Sequence, residues 1–256
     1  MTNLVKTNRQ GQTATITLNR PDTYNALNED MREQLAQAIR QVEADPSIRV
    51  VTLAGEGRGF CAGADLKTPS DKRSGAVLEE EFHPCLAPIW NSEKIYIAAV
   101  HGHAAGIGAA LALACDFVVM DESAQLTLAF AAIGLVPDGG LCWMLTRALG
   151  PKRALEVIVE GQSLDAAFCL TNGLANRIAA QDTALGTSQS WAAELAKSAT
   201  CATVAAKRLV ALSMSAGIET VFVAEADAQT LLGQTKDHQR GVAAFLARET
   251  PIFQGG

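Results

Sequence analysis

The sequence predicts an α/β protein with a largely parallel sheet, followed by a helical carboxy-terminal part. Strand-like and helix-like runs alternate through the first half, and almost everything after Gly140 carries helix patterning. With 256 residues, 48% of them hydrophobic and 19% charged, the chain can bury a large core without staples.

Thr13 to Leu18 alternates as a half-buried strand and stops at the turn Asn19-Arg20-Pro21-Asp22. Met31, Leu35, Ile39 and Val42 then recur at helical steps behind Asn28-Glu29-Asp30, a cap followed by first-turn acids. Ile48 to Ala54 reads as a strand, Gly55 to Gly63 as a glycine-rich loop, Ile95 to Val100 as a strand, Gly106 to Ala114 as a helix and Phe117 to Met120 as a strand. Beyond Gly140, helices are expected over 141–149, 152–159, 164–172, 183–197, 202–215, 218–232 and 236–248, with one strand-like interruption at 175–179. This divides the chain into a core over residues 1–199 and a helical region over 200–256, serving as a separate layer, a lid or an oligomerisation element.

Charge is thinnest in the middle, where Asp116, Asp121 and Glu122 are the only formal charges between Ile95 and Pro137. Ile95 to Cys115 is long enough to cross a bilayer, but His101-Gly102-His103 and Gly106-Ile107-Gly108 break it into a strand, a loop and a helix. A membrane span is therefore not expected. A net charge of −6 argues against a nucleic-acid partner. The six cysteines lack metal spacing and read as buried thiols of a reducing, cytoplasmic compartment, and the amino terminus lacks the apolar run of a secretory signal.

Three loops can carry chemistry: Gly59-Phe-Cys-Ala-Gly-Ala-Asp-Leu66, His101-Gly-His-Ala-Ala-Gly-Ile-Gly108 and Ile133-Gly-Leu-Val-Pro-Asp-Gly-Gly140. The first two join a strand to a possible helix, where main-chain N–H groups face outward. Gly106-Ile107-Gly108 resembles the start of a dinucleotide fingerprint, but Leu111 stands at its third glycine position. His101 and His103 lack a third metal-ligand partner nearby. Asp138 is the only charge between Glu122 and Arg147. It either caps the helix beginning near Gly139 or is a desolvated carboxylate available for proton abstraction.

Together, Leu18-Asn-Arg-Pro21, Arg58-Gly-Phe-Cys-Ala-Gly-Ala-Asp-Leu66, Ala104-Ala-Gly106 and Arg240-Gly-Val-Ala-Ala-Phe-Leu246, in this order and spacing, resemble the crotonase, or enoyl-CoA hydratase/isomerase, superfamily. The resemblance covers nearly the whole chain. It implies the ClpP/crotonase-like fold, a superhelix of repeated β-β-α turns with a helical carboxy-terminal region, assembled as a homotrimer or a dimer of trimers. It also implies an acyl-CoA substrate, with coenzyme A as part of that substrate, and no metal or redox cofactor.

Carried over by position, the oxyanion-hole N–H donors are Ala64 and Ile107, where Ile107 departs from the family's usual glycine. Ala62, Gly63, Asp65, Leu66, Lys67, Gly106 and Phe130 are then substrate or CoA contacts, although Asp65 and Lys67 also read as a solvated turn pair. The two glutamates that family hydratases place around a water correspond to Ala110 and Phe130, so simple hydration is not expected. Asp138 stands where family isomerases keep their acid, and Ala129-Phe130 with Ile133 to Asp138 resembles the branch acting on a ring epoxide of phenylacetyl-CoA. The expected activity is a double-bond shift or ring-epoxide rearrangement through an enolate, in a pocket lined by Phe130, Leu126, Leu135 and Phe82. Two alternatives are an aryl-CoA dehalogenase using Asp138 as nucleophile and a silent acyl-CoA-binding scaffold. The dehalogenase has an indole where Phe130 stands and a histidine base that no motif here places. The tail from Phe245-Leu246 to Phe253 is expected to pack on a neighbouring element or subunit.

Overall fold

The computed structural model describes residues 3–68 and 72–256. The first two residues of the amino-terminal stretch lie outside it. Element order is β1 (Val5–Gln10), β2 (Thr13–Leu18), α1 (Glu29–Ala44), β3 (Val50–Gly55), α2 (Ser74–Val77), α3 (His83–Trp90), β4 (Ile95–Val100), β5 (His103–Ala105), α4 (Ile107–Leu113), β6 (Phe117–Asp121), β7 (Gln125–Thr127), α5 (Leu141–Val159), β8 (Ser163–Asp165), α6 (Ala166–Thr171), β9 (Arg177–Ala179), α7 (Ala184–Leu195), α8 (Thr200–Ser213), α9 (Ile218–Leu232) and α10 (Lys236–Ala247). A π turn over Leu78–Phe82 joins α2 to α3. The chain forms two compact units, residues 1–192 and 193–256.

In the first unit a six-stranded sheet runs β1-β2-β3-β4-β6-β9, parallel except for the β1/β2 hairpin. Strands covered on both faces should be apolar throughout rather than alternating. All six residues of β4, Ile-Tyr-Ile-Ala-Ala-Val, are buried. The charge-poor stretch Ile95 to Cys115 is thus β4, the short β5 and α4, and among the described residues no helix is long and apolar enough to cross a membrane.

A second, narrower ladder holds β5, β7 and β8 and is extended by single parallel bridges from Cys61 to Ala104 and from Ala64 to Leu27. Each of β2, β3, β4 and β6 therefore sends its chain into this second layer before the next helical segment, α1, α2/α3, α4 or α5 respectively. This is the repeated β-β-α turn. It lines up the segments around residues 27, 61–64, 103–105 and 125–127 side by side.

Helix α1 starts where its residues dictate, with the Asn28 side chain accepting the Met31 N–H at 3.1 Å. Its Met31, Leu35, Ile39 and Val42 stripe is buried, and Arg32 on the same helix is buried in an ion pair with Glu81 and lies over the Phe82 ring. Phe82 is buried in the core beneath Arg32. The expected helices 141–149 and 152–159 form one element with a break at Gly150, whose backbone is non-helical. Three-residue strands precede α4 and α6, and the helical segment from residue 74 to residue 90 had no counterpart in the sequence reading.

In the second unit, Thr235 caps α10 through the His238 N–H. The buried Asp237 carboxylate accepts the N–H groups of Gln254 and Gly255 and pairs with Arg240, fixing the end of the chain. Phe253 packs beside Gly241 of α10, whereas Phe245 and Leu246 are 81% and 77% exposed. Only the Phe253 end of the tail thus finds a partner within its own unit. All six cysteines are free, but Cys142 and Cys201 are exposed, so the buried reading holds for the other four.

Leu35 is fully buried on α1, and Leu35→Ala is expected to cost about 2–5 kcal/mol of stability through lost transfer energy and a residual cavity, measurable by urea unfolding.

Candidate active site

The first candidate loop is anchored by residues far away in sequence. Asn25 is fully buried, and its Nδ2 donates to the carbonyls of Glu56, Gly59 and Phe60 while its Oδ1 accepts the Arg20 N–H. Asp65 is 9% exposed and ion-paired with Arg20 at 2.6 Å, and its other oxygen accepts the Lys67 N–H at 3.0 Å. Burial works against its charge, but the Arg20 hydrogen bond, the Lys67 N–H and the neighbouring cations outweigh it and hold the carboxyl below its ordinary range. Asp65 is therefore no solvated turn residue: it ties the loop to the Leu18-Asn-Arg-Pro21 turn. Leu66, at 68% exposure, and Lys67 face outward, as do Ala62 and Ala64.

The loop's main chain then meets the second candidate loop. Cys61 N–H donates to His103 O, and Ala105 N–H to Cys61 O. On the opposite edge, Leu27 N–H donates to Gly63 O and Asp65 N–H to Leu27 O, so the intervening Ala64 N–H points away from Leu27. Gly63, with φ +91°, fits the crossing because a Cβ there would lie 2.7 Å from Ala105 O and 3.6 Å from Ile107 N. Gly106 turns the chain with φ +54° into α4, leaving Ile107 as the first helical residue. Among the described residues, neither the Ala64 nor the Ile107 N–H donates to a protein acceptor. The fork between the two segments thus offers two main-chain donors to an incoming oxygen.

Phe130 is buried, and its Cζ lies 3.7 Å from the position of a Cβ on Gly106, so its ring is beside the fork. Leu126 is buried as well. Leu135 does not line the pocket as expected: with Ile133 and Val136 it stands more than half exposed on the third loop.

Asp138 leads into Gly139 and Gly140, both with positive φ. A Cβ on Gly139 would come within 2.6 Å of both Ile107 Cδ1 and Ala110 Cβ, and 3.1 Å of Leu86 Cδ1. This close approach brings α3, α4 and the start of α5 together at the residue after Asp138. The helix-capping reading of the Asp138 side chain is overturned: no side chain caps α5, and the Leu141 N–H donates to the Asp138 main-chain carbonyl. Oδ1 is buried with no hydrogen-bond partner among the described residues. Burial pushes the carboxyl up to about 6, while its own main-chain N–H and the charge of His83 hold it back. His83, exposed at the first position of α3, is a neighbour of Asp138 that the sequence did not single out. Its signal was weak, a lone histidine between an acidic run and Pro84.

A spiral of β-β-α turns, with two unpaired N–H groups at its fork and a desolvated carboxylate on the turn packed against α4, is the architecture of the crotonase class. Residues 8–256 match the family model described as enoyl-CoA hydratase/isomerase, and the chain belongs to that family. It is 36% identical to the 1,2-epoxyphenylacetyl-CoA isomerase of Escherichia coli over 94% of each chain. It is 34% identical to the 2,3-dehydroadipyl-CoA hydratase of the same organism, covering 96% of this chain and 97% of that one. An enoyl-CoA hydratase from Polaromonas superposes with a TM-score of 0.89 at 33% identity, covering 98% of this chain and 99% of that one. One from Bacillus anthracis superposes at 0.92 with 28% identity, covering 99% and 100%.

The raised Asp138 carboxyl makes a stability prediction. Its folded value, about 6, lies above the ordinary 3.8, so its contribution is fully present below about 4 and is lost as pH rises through 6. Asp138→Asn should therefore raise Tm at pH 7.5, by roughly 2–4 °C for a gain on the order of 1 kcal/mol after allowing for the solvated part of the group. The gain should vanish at pH 4, as thermal unfolding of both proteins at the two pH values will show.

Proposed function

We propose that this protein is an acyl-CoA isomerase that uses one carboxylate, Asp138, and two main-chain donors, Ala64 and Ile107. The observation that carries the reading is the desolvated Asp138 carboxylate with its unpartnered Oδ1, combined with Ala110 and Phe130 at the two positions where a hydratase needs acids to hold water. Neither side chain can bind or deprotonate a water molecule. The 36% identity to an epoxyphenylacetyl-CoA isomerase supports the same direction.

In the double-bond form of the reaction, Asp138 takes a proton from the carbon next to the thioester of a 3-enoyl-CoA. The electron pair delocalises onto the thioester oxygen, which accepts the Ala64 and Ile107 N–H groups, each worth roughly 3–4 kcal/mol in a preorganised dry site. Asp138 then returns the proton to the far carbon, giving the 2-enoyl isomer. In the epoxide form the same deprotonation assists opening and expansion of the strained ring. Proton transfer and two N–H donors balance these steps, so the reaction requires neither metal nor redox cofactor. The CoA moiety lies along Ala62, Gly63, Leu66 and Lys67, with Asp65 holding that loop in place from within and Gly106 and Phe130 bordering the acyl group. A homotrimer or dimer of trimers would cover exposed apolar groups such as Phe245 and Leu246, and free thiols suit a reducing cytoplasm.

One observation favours a second reading. A nucleophilic aspartate acting on an aryl-CoA would need a histidine base, and His83 opens α3, the helix whose Leu86 meets the turn bearing Asp138, although Phe130 lacks the indole of that dehalogenase chemistry.

Purified protein should turn over 1,2-epoxyphenylacetyl-CoA or a 3-enoyl-CoA, and Asp138→Asn should lower kcat by about 10²–10⁴-fold while acyl-CoA binding persists. Absence of turnover of both substrates by the wild type would leave a binding scaffold as the better account. Mass spectrometry after a single turnover of an aryl-CoA should find no aspartyl ester at Asp138; finding one would move the assignment to the nucleophilic reading.

A further inference from the structure

Ile107 is only 3% exposed, and its side chain does not lie idle beside its N–H group. Its Cδ1 reaches the backbone of Gly139, the residue directly after Asp138, where it meets Ala110 Cβ from one turn further along α4 and Leu86 Cδ1 from α3. The three atoms nearest the missing Gly139 Cβ are all hydrocarbon, contributed by two helices. Ile107 is the largest side chain on the α4 side of this contact and the one that spans from the oxyanion fork to the carboxylate turn.

We infer that the Ile107 side chain is a plug that keeps water from reaching the Asp138 carboxylate from below, so that one residue supplies a donor to the substrate oxygen and dryness to the base. The inference deepens the isomerase reading and uses its assignment of Asp138 as base. Shortening a side chain packed against the turn that bears this carboxylate, with its buried and unpartnered Oδ1, leaves room next to a polar group, the conditions under which a cavity takes up water. That water would solvate the charged form of the base and could attack an enoyl thioester. Ile107 is thus a positioning and specificity residue through its side chain, separately from its main-chain role. The turn bearing Asp138 packs, at Gly139, against Ile107 and Ala110 of α4 and Leu86 of α3, and His83 of α3 is the titratable group that acts on the carboxyl.

The test is carboxyl titration of the unliganded protein labelled with ¹³C-aspartate, the Asp138 signal being identified by its loss in Asp138→Asn. Wild type should titrate near 6. Ile107→Ala should titrate at least about one pH unit lower, a tenfold change in proton affinity, and Ile107→Val should fall between them. An unmoved midpoint in both folded variants would overturn the inference and leave Ile107 as core packing, since lost packing alone lowers Tm without moving the titration. If Ile107→Ala does not fold, Ile107→Val decides, a downward shift supporting the plug and none overturning it. The titration needs no substrate, so its outcome is separate from whether the isomerase assay succeeds. In that assay, a hydrated by-product formed from 2-enoyl-CoA by Ile107→Ala and not by wild type would be the matching support.

Discussion

The 58–63 loop and the 102–108 turn touch backbone to backbone, and the geometry of the site follows from that contact. A Cβ on Gly102 would sit 2.3 Å from Arg58 O, and one on Gly108 would sit 2.4 Å from Cys61 O. Neither neighbour is the far end of a flexible side chain, so neither can give way. Only main chains stripped of side chains can run this close, and their closeness holds Ala64 and Ile107 at the same fork. Hydrogen bonds between Cys61 and residues 103 and 105 fix the register, so the two free N–H groups are a by-product of where the ladder ends. Under the proposed function their direction would cost nothing at the moment of reaction, which is what distinguishes a preorganised donor pair from a mobile side chain.

The same rule extends to the carboxylate. Gly139 sits against Ile107 and Ala110 of α4 and against Leu86 of α3, so the turn bearing Asp138 is located by contacts to the helix that begins at the fork. The proposed donor Ile107 and the proposed base Asp138 are therefore both located by one element, α4, rather than by separate loops. The anchors behind them are polar and buried: Asn25 organises residues 56–60, and the Arg20–Asp65 pair holds the loop beyond the fork. An exposed ion pair would add little here, but this one is largely withdrawn from water, so removing either partner would strand a charge.

Much of this was legible in the sequence because it rests on local rules. The strand Ile95–Val100, the Asn28 cap with the α1 stripe and the helix Ile218–Leu232 stand where continuous apolarity, capping and helical periodicity put them. The strands β5, β7 and β8 have three residues each, too few for a period of two to declare itself, and they exist because the adjoining turn of the spiral offers a hydrogen-bonding edge. The helical segment before β4 was hidden by Pro84 and Pro88 and by the acidic run Glu79-Glu80-Glu81. Glu81 reads as solvated surface until its buried partner Arg32, almost fifty positions earlier, is brought to it. At the site, Asp138 and the two loops stood out by residue type, while His83 and Asn25 did not. A histidine or asparagine gains its role from groups distant in sequence, and no local pattern records that. Leu135 shows the reverse error: apolarity placed it in a lining, yet the turn around Gly134 carries it outward.

The charge-poor middle of the chain has two physical causes that coincide. Central strands of a parallel sheet must be apolar on both faces, which accounts for β4 and part of β6. Residues 104–113 and 126–130 lie outside that sheet and are just as poor in charge; Ile107 and Ala110 among them pack against Gly139, next to Asp138, and Phe130 lies beside Gly106. A carboxylate among such neighbours is held in an environment that disfavours its charge, and the protein gives up some stability at neutral pH to keep it there. Evolution toward stability alone would pair Asp138 with a donor or replace it, as it paired Asp65 with Arg20 and seated Asp237 among three donors. Three aspartates in one chain are thus driven in different directions by the same physics. Two are satisfied and lowered, serving structure, and the third, with an unsatisfied Oδ1 and a raised proton affinity, is the one the proposed function uses as base.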